Sequence, residues 1–386
     1  MRMTRCFNSR AMTRWVTGLL LLSAHIAQAT AVRPVDPALE LAHDLPSYRV
    51  PRGAVQDVGA AIEQARALMA EGRKRADIRA FAYADTVLAP FAARAAVDSP
   101  LALLLADIHQ YRHDFNGAAL LLDQVLARDP RDSNARLMRA QIRIAQGDGH
   151  EALRDCLHLV GREAAWVWSA CSAQAYAISG RLSDAQRLLE ANLRGQELLG
   201  TRGAWVAGIM AQLAAQVGDH AAEESWLRRA LAADADDHVA ALALMDLLNA
   251  GGRQTEALQL LTGRPASDAY LIRKAQALKS TDAVQARAVM NEMQRRFAES
   301  DALGDRSHLR ERADFELRFG DARAALAHAQ ENFVTQRELT DVRLLLQAAA
   351  AAHDPAGGSA AVQWLRETRA QDSQAARIAR VLGGAA

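Results

Sequence analysis

The sequence predicts an all-α protein, and two features carry that prediction. Alanine accounts for 84 of the 386 residues, whereas aromatic residues make up 5%. Small, helix-forming side chains suit closely packed helices better than β-sandwiches or barrels. Beyond about residue 54, apolar residues recur at helical spacing in short segments that end at Gly-Asp, Gly-Arg or His-Asp pairs. A chain that is 50% hydrophobic and 24% charged can form a packed core, which excludes a disordered protein.

Residues 1–29 are typical of a Sec-type secretory signal peptide. Before Asp36 there is no acidic residue, and there are four arginines, Arg2, Arg5, Arg10 and Arg14. An apolar core from Trp15 to Ala24 precedes the small-residue triplet Ala27-Gln28-Ala29. Since about 18 apolar residues are needed to span a bilayer, this core is too short to anchor the chain. We expect cleavage after Ala29 and no stable membrane insertion. A mitochondrial presequence is the alternative, but the leucine run and the cleavage site favour export.

The charge balance of the remaining chain argues against nucleic-acid binding. Removing the four arginines of residues 1–29 leaves 42 basic against 45 acidic side chains, a net charge of −3. Such a chain lacks the basic surface that supplies most nucleic-acid affinity. With 43 arginines and three lysines, the composition is typical of a GC-rich bacterium. The expected location is therefore periplasmic or secreted.

The chain after the signal peptide divides into three parts. Residues 30–53 hold four of the nine prolines, which predicts an extended leader or linker. Residues 54–369 carry the helical segments and form the predicted solenoid. Residues 370–386 form a short C-terminal helix or tail, too short for a catalytic domain.

A repeat becomes visible when the helical segments are aligned on their turn residues. Those residues are His113, Gly147, Gly180, Gly218, Gly252 and Gly320, with spacings of 34, 33, 38, 34 and 68. Seven positions before each turn stand Ala106, Ala140, Ala173, Ala211, Met245 and Ala313, and five after it Ala118, Ala152, Ala185, Glu223, Ala257 and Ala325. Ten of these twelve residues are alanine. Small side chains at both positions let two antiparallel helices cross closely.

These residues resemble the tetratricopeptide repeat, a helix-turn-helix unit of about 34 residues. The best match is Pro100 to Pro130. Glu223, Met245 and the unmarked pair from Asp268 to Phe297 depart from the pattern. The resemblance implies a right-handed α-solenoid of eight or nine helix pairs, the first around Val55–Ala96 and the last from Thr340 to Arg369. Because each pair exposes an apolar face that its neighbours cover, no pair should be stable alone.

The resemblance also implies where a partner would bind. In this family the residue six positions before each turn points into a concave groove. Here these residues are all polar, and we refer to them as the polar row: Asp107, Gln141, Gln174, Gln212, Asp246 and Asp314. Amides and carboxylates suit hydrogen bonding to an extended peptide backbone. Ordinary solvation of an exposed helix face is the alternative interpretation.

Two aromatic residues are candidate anchors for that partner. Tyr111 and Trp205 are expected near the same face, and aromatic side chains dominate interface energetics. Packing between helices is the preferred alternative. Family members that grip chaperone carboxylates use lysine, arginine and asparagine in the groove, whereas the cationic candidates here are Arg310 and Arg318. That specificity is therefore rejected.

Enzyme and metal motifs are weak. The chain has no G-x-S-x-G elbow, phosphate-binding glycine loop, H-E-x-x-H or C-x-x-C motif. His109 and His113 stand four apart on one predicted helix, with Asp107 and Asp114 nearby, but no third convergent ligand is evident. Structural histidines are the preferred interpretation, and no cofactor is expected.

Two cysteines, Cys156 and Cys171, remain once Cys6 leaves with the signal peptide. They fall on helices that pack together in a solenoid, and an exported chain would be in an oxidising compartment. A disulfide is one interpretation. Two buried free thiols are preferred, because the alignment of the two side chains cannot be assumed.

Three hypotheses about function follow. The first is an exported, non-catalytic scaffold that binds a protein or peptide segment in its groove, within an envelope assembly, export or maturation complex. The second is a metal-handling or hydrolytic protein that uses His109, His113 and Asp107. The third is a structural subunit of a homo-oligomer, with Leu344–Leu346 and Trp364–Leu365 as contacts.

Overall fold

The computed structural model describes residues 57–75, 77, 79–303 and 308–383. The signal peptide at residues 1–29, with its cleavage after Ala29, lies outside the described residues, as do Cys6 and the leader at residues 30–53. The described part of the chain contains 19 α-helices and two short 3₁₀ helices, and no strand. The predicted all-α fold is confirmed.

Consecutive helices form nine antiparallel pairs and a final single helix. The first ten are α1 (Val58–Arg75), α2 (Arg79–Leu88), α3 (Ser99–Tyr111), α4 (Phe115–Arg128), α5 (Ser133–Ala145), α6 (Gly149–Leu157), α7 (Ala165–Ala177), α8 (Leu182–Leu193), α9 (Gly200–Val217) and α10 (His220–Ala233). The others are α11 (His238–Ala250), α12 (Gln254–Gln259), α13 (Asp268–Thr281), α14 (Ala283–Leu303), α15 (Leu309–Phe319), α16 (Ala322–Thr335), α17 (Leu339–Ala351), α18 (Ser359–Thr368) and α19 (Ser373–Val381). We number the pairs one to nine, with α1–α2 as pair one and α17–α18 as pair nine.

The turns within pairs have a common chemistry. His113, Gly147, Gly180, Gly218 and Gly252 all adopt positive φ, between +61° and +82°. An aspartate follows three of them, and its side chain caps the second helix, as Asp114, Asp148 and Asp219 show. Gly320 has a φ of −122°, and its turn is closed instead by Glu316, which accepts from the Asp321 amide. His353 forms the positive-φ turn of pair nine, a turn that the repeat pattern in the sequence does not include.

The paired alanines bring the helices together as the sequence predicts. All ten are at most 2% exposed, and Met245 is fully buried in the place of an alanine. Glu223 differs, because its carboxylate lies at the rim of its pair and contacts His220 Nδ1 at 3.0 Å. Close helix approach is thus made by methyl groups in most pairs, and the apolar contacts continue from one pair to the next.

A disulfide joins pair three to pair four. Cys156 of α6 and Cys171 of α7 are fully buried, with their Cα atoms 5.5 Å apart. The interpretation as two free thiols is therefore wrong: the helix packing aligns the two side chains. Next to Cys156, the buried Asp155 accepts hydrogen bonds from Arg136, Arg139 and Arg143 of α5. Burial alone would raise the pKa of Asp155, but the guanidinium hydrogen bonds outweigh it and hold that pKa below its ordinary value.

The solenoid winds far enough for later pairs to touch earlier ones. At pair one, the Arg73 carbonyl accepts from His238 Nε2 at the start of α11, at 2.9 Å. The Arg337 amide donates to the Ala145 carbonyl at the end of α5, at 2.7 Å. We call this continuous line of contacts the closing seam; on it the turn glycines of pairs three, four and five meet Trp364, Arg369 and Ser373.

The prediction that Leu344–Leu346 and Trp364–Leu365 form oligomer contacts is wrong, because the closing seam buries them. Leu344–Leu346 and Trp364–Leu365 are at most 6% exposed, and they share one buried cluster with Ile144 and Ile178 of pairs three and four. The sequence shows these residues as apolar stripes near the end of the chain, but the winding of the solenoid covers them within the molecule. They are not available to a second copy.

We predict that Gly180→Ala destabilises the protein more than Gly252→Ala. Both glycines have a φ of +74°, so either alanine incurs left-handed strain of about 1–2 kcal/mol. A Cβ at Gly180 would lie 2.8 Å from the Arg369 carbonyl oxygen, whereas none lies within 4 Å at Gly252. Urea unfolding should show an additional loss of about 1–3 kcal/mol for Gly180→Ala. Equal losses would contradict the seam contact.

Replacing Cys156 and Cys171 together with alanine should lower the free energy of unfolding by about 3 kcal/mol. The disulfide closes a loop with a sequence separation of 15, which restricts the unfolded chain. Urea unfolding with and without reductant measures the effect, and reductant should leave the double variant unchanged. Two reactive thiols in the denatured, unreduced wild-type protein would show that the bond is absent.

Candidate functional site: the inner face of the solenoid

The polar row lies on the concave side of the stacked pairs. Arg318 Nη2 of pair eight donates to Asp246 Oδ1 of pair six at 3.1 Å, past the whole of pair seven. Side chains two pairs apart can meet only where the stack curves inward. Gln141 and Gln174 of adjacent pairs also meet, with Gln141 Nε2 donating to Gln174 Oε1 at 3.0 Å. We call this concave surface the inner face.

One end of the inner face is occupied by ion pairs. Asp246 accepts from Arg273 at 2.6 Å, and Asp314 accepts from Arg318 at 2.5 Å. Arg318 also donates to Gln276 of α13. This helix belongs to pair seven, which lacks the turn residue of the repeat pattern. Burial by itself would lower the pKa of Arg318, but Asp314 and Asp246 outweigh it and raise that pKa. These charges therefore neutralise one another.

The other end of the row is also paired. Asp107 forms an ion pair with Arg73 of α1. One turn further along α3, Tyr111 stacks on Phe81 of α2 with ring centroids 3.5 Å apart. Burial raises the pKa of the Tyr111 hydroxyl. Tyr111 is half-buried and packs between pairs one and two, and its role as an anchor stays a prediction.

The middle of the row keeps its amide groups available. Gln174 uses its oxygen toward Gln141, while in the described part of the chain no hydrogen bond engages its Nε2 or the amide of Gln212. Both residues are half-buried. Gly208 lies one turn before Gln212 on the same face of α9, and a Cβ built there would meet no atom within 4 Å. This segment therefore offers hydrogen-bonding groups beside an open gap.

Trp205 lies on the same face of α9 as Gly208 and Gln212, three residues before Gly208. It is half-buried and packs against the cluster that contains the disulfide and Leu159, and against the core of pairs four and five. As for Tyr111, packing between helices is the arrangement that the structure shows. Both candidate anchors thus pack against neighbouring helices while half-buried, and their binding role stays a prediction.

The histidine pair does not converge on a metal site. His109 Nδ1 contacts Asp114 Oδ2 at 2.6 Å, whereas His113 Nδ1 faces Gln336 at 2.8 Å across the closing seam. Asp107 is held by Arg73. Over residues 57–75, 77, 79–303 and 308–383, no group of three His, Cys, Asp or Glu side chains could hold a metal ion. The metal-handling hypothesis is therefore not supported by this geometry.

Arg310 and Arg318, the cationic candidates for the groove, both form ion pairs that the sequence pattern does not predict. Arg310 donates to Asp341 at 2.8 Å and to Glu338 at 2.7 Å, so it belongs to a buried network between α15 and α17. Burial by itself would lower the pKa of Arg310, but these two carboxylates raise it. The partners of Arg310 come from the next pair along the chain, and Asp246, a partner of Arg318, comes from two pairs earlier; no single-repeat pattern indicates either.

A separate cleft of about 330 Å³ lies away from the polar row. Its wall is formed by Leu193, Met210 and Trp226, with Glu190 and Arg194 at the rim. It lies where the spacing between turns lengthens from 33 to 38 residues and the α8–α9 connection is extended. It shares no residue with the polar row.

No family model and no curated protein matches the chain. Among solved structures it is similar to the APC/C hetero-tetramer Cut9-Hcn1, with 13% identity over 78% of this chain and 59% of that one, and a TM-score of 0.48. A tetratricopeptide repeat protein from Parabacteroides merdae ATCC 43184 is 12% identical over 75% and 98% of the two chains, with a TM-score of 0.37. Yeast Tom70 is 11% identical over 84% of this chain and 95% of that one, with a TM-score of 0.26.

In the described residues no helix is both long and apolar enough to cross a membrane.

Arg318→Met should destabilise the solenoid by about 2–3 kcal/mol. The change leaves Asp246 and Asp314 with a single shared guanidinium, Arg273, in a partly buried site. Arg66→Met is the matched control, since Arg66 and its partner Glu63 both lie on the exposed face of α1, and it should change stability by at most about 0.5 kcal/mol. Urea unfolding of both variants tests this, and similar losses would contradict the role of the network.

Proposed function

We propose that this protein is a non-catalytic repeat scaffold that binds an extended segment of a partner protein against its inner face. One observation carries the proposal: the row is paired at both ends, whereas within the described part of the chain Gln174 Nε2 and the Gln212 amide make no hydrogen bond beside the open gap at Gly208. The charged residues hold the shape of the solenoid, and the amides are left for a ligand.

An extended polypeptide fits this chemistry. Each amide side chain provides a donor and an acceptor, which match the N–H and C=O groups that a peptide backbone presents at regular intervals. A glycine in mid-helix lowers helix stability by about 1 kcal/mol relative to alanine, and it is favoured where a ligand backbone comes close. Among the described residues, a Cβ built at Gly208 would meet no atom within 4 Å beyond its own turn of helix, so packing against a neighbour does not explain the glycine.

The pairing of the acidic residues supports binding rather than catalysis. Asp107, Asp246 and Asp314 all contact guanidinium groups. These carboxylates are therefore engaged within the solenoid by its own arginines. The inner face is therefore better suited to hold a chain than to transform one.

Export to the periplasm is part of the proposal. A buried disulfide such as Cys156–Cys171 persists in oxidising compartments, which agrees with the signal peptide expected at residues 1–29. A scaffold in that compartment would serve an envelope assembly, export or maturation complex. A homo-oligomer would need a surface other than Leu344–Leu346 and Trp364–Leu365, because these are covered within the chain.

The decisive variant is Gly208→Leu, which should raise stability while it abolishes binding. Leucine is a better helix former than glycine by about 1 kcal/mol, and its side chain would fill the gap that the ligand backbone occupies. Ser225→Leu is the matched control, since it adds the same side chain to an exposed position of α10 in the same pair. Melting temperature and binding to an array of unstructured synthetic peptides measure the two effects.

A second variant removes the hydrogen bonds without filling the gap. Replacing Gln141, Gln174 and Gln212 together with alanine should weaken peptide binding by about tenfold to a hundredfold, since each hydrogen bond contributes about 0.5–1.5 kcal/mol. Capture from envelope extract of the native host then identifies the natural partner. Peptide binding that is equally strong in Gly208→Leu and in the wild type would show that the site is not on the inner face.

A further inference from the structure

The closing seam contains one titratable contact between distant parts of the chain. His113, in the turn of pair two, faces Gln336, which lies just before α17, and Nδ1 and Nε2 are 2.8 Å apart. The next residue, Arg337, donates its backbone N–H to the Ala145 carbonyl at 2.7 Å. These two hydrogen bonds form one corner of the seam, which we call the His113 corner.

The hydrogen-bond directions at this corner are fixed. Gln336 Oε1 accepts from Arg310 Nη2 at 2.7 Å, so the Gln336 amide must present its NH₂ group to His113. His113 Nδ1 therefore accepts, and the imidazole is neutral with its proton on Nε2. A proton added at Nδ1 would place two donors face to face. Gln336 could not rotate to correct this without leaving Arg310.

The charges around His113 also oppose a second proton. Arg310 and His308 approach from α15 and the residue before it, and Glu338 approaches from the start of α17. Arg310 is already neutralised by Glu338 and Asp341. From its own pair, His113 meets the Phe115 ring edge to face at 5.7 Å, and the nearby Asp114 is engaged by His109. Burial, with Arg310 as the next cause, lowers the pKa of His113 to about 4.

We propose that the His113 corner is an acid-sensitive latch, closed at neutral pH and opened when His113 takes up a proton. The network of Arg310, Glu338 and Asp341 lies entirely within pairs eight and nine, so it moves as a unit when the corner opens. His113 belongs to pair two, on the opposite side of the closing seam. Opening of the His113 corner releases the contact between pair two and the start of pair nine. This device does not depend on what the inner face binds.

The pH dependence follows from the two protonation equilibria. In the open corner His113 is solvated and has its ordinary pKa near 6.5, whereas in the closed corner the pKa is about 4. The open form therefore binds the extra proton. Closure is fully favoured above pH 6.5 and weakens about tenfold for each pH unit below it, down to about pH 4.

Hydrogen exchange of the Arg337 amide reports directly on this corner. In the full mature chain, its protection, normalised to the intrinsic exchange rate at each pH, should fall about 300-fold between pH 6.5 and about 4. The amide of Leu122, in the core of pair two, is the internal reference and should stay protected. Loss of protection at Leu122 in step with Arg337 would mean that acid unfolds the chain, and would overturn the proposal.

Two variants and one control separate the latch from general acid effects. His113→Asn keeps a side chain that tolerates the left-handed turn, and Arg337 protection should become independent of pH. Gln336→Glu offers a carboxylate to protonated His113, so protection should be retained in acid. His109→Asn changes a histidine of the same helix end that does not reach the seam, and it should behave as the wild type. An unchanged acid response in His113→Asn would show that His113 is not the latch.

Discussion

The close crossing of the two helices in each pair is the constraint on which the rest of the structure depends. Buried alanines at facing positions, such as Ala140 and Ala152, let the helices approach through methyl groups. Successive pairs stack on this compact unit, and the winding brings pair one to pair six, where His238 reaches the Arg73 carbonyl. A bulkier contact in each pair would change the angle between pairs, and the closing seam would lose its register.

Curvature then decides what each polar residue does. On the inner face, side chains from alternate pairs come within reach, so the carboxylates of Asp246 and Asp314 share Arg273 and Arg318. A charged row on a straight stack would be solvated, whereas here it is neutralised by arginines from its own neighbours. Among the described residues no arginine contacts the amides of Gln141, Gln174 and Gln212, and this contrast is the physical basis for assigning them to a ligand.

The seam and the disulfide restrain the solenoid in different ways. The Cys156–Cys171 bond ties neighbours in sequence and limits the unfolded chain. The seam ties residues more than 200 positions apart through ordinary packing and single hydrogen bonds, such as that between Gln336 and His113. The first is insensitive to pH, and the second contains an imidazole that must stay neutral. Repeat proteins otherwise make contacts mainly between adjacent units, so these long-range contacts give the chain a cooperativity that simple stacking lacks.

The all-α class, the helix pairs, the turns at residues such as Gly147 and Gly180 and the buried alanines could all be predicted from the sequence alone. These features depend on contacts within about 34 residues, which recur and therefore leave a periodic signal. The folded chain was needed to show three further features: Arg73, Arg273 and Arg318 pair with the polar row, Tyr111 and Trp205 pack against neighbouring helices, and Leu344–Leu346 are covered. The reason is cumulative geometry. Each small rotation between pairs depends on side-chain packing, and the sum over five to seven pairs selects which distant residues meet, which no local pattern records.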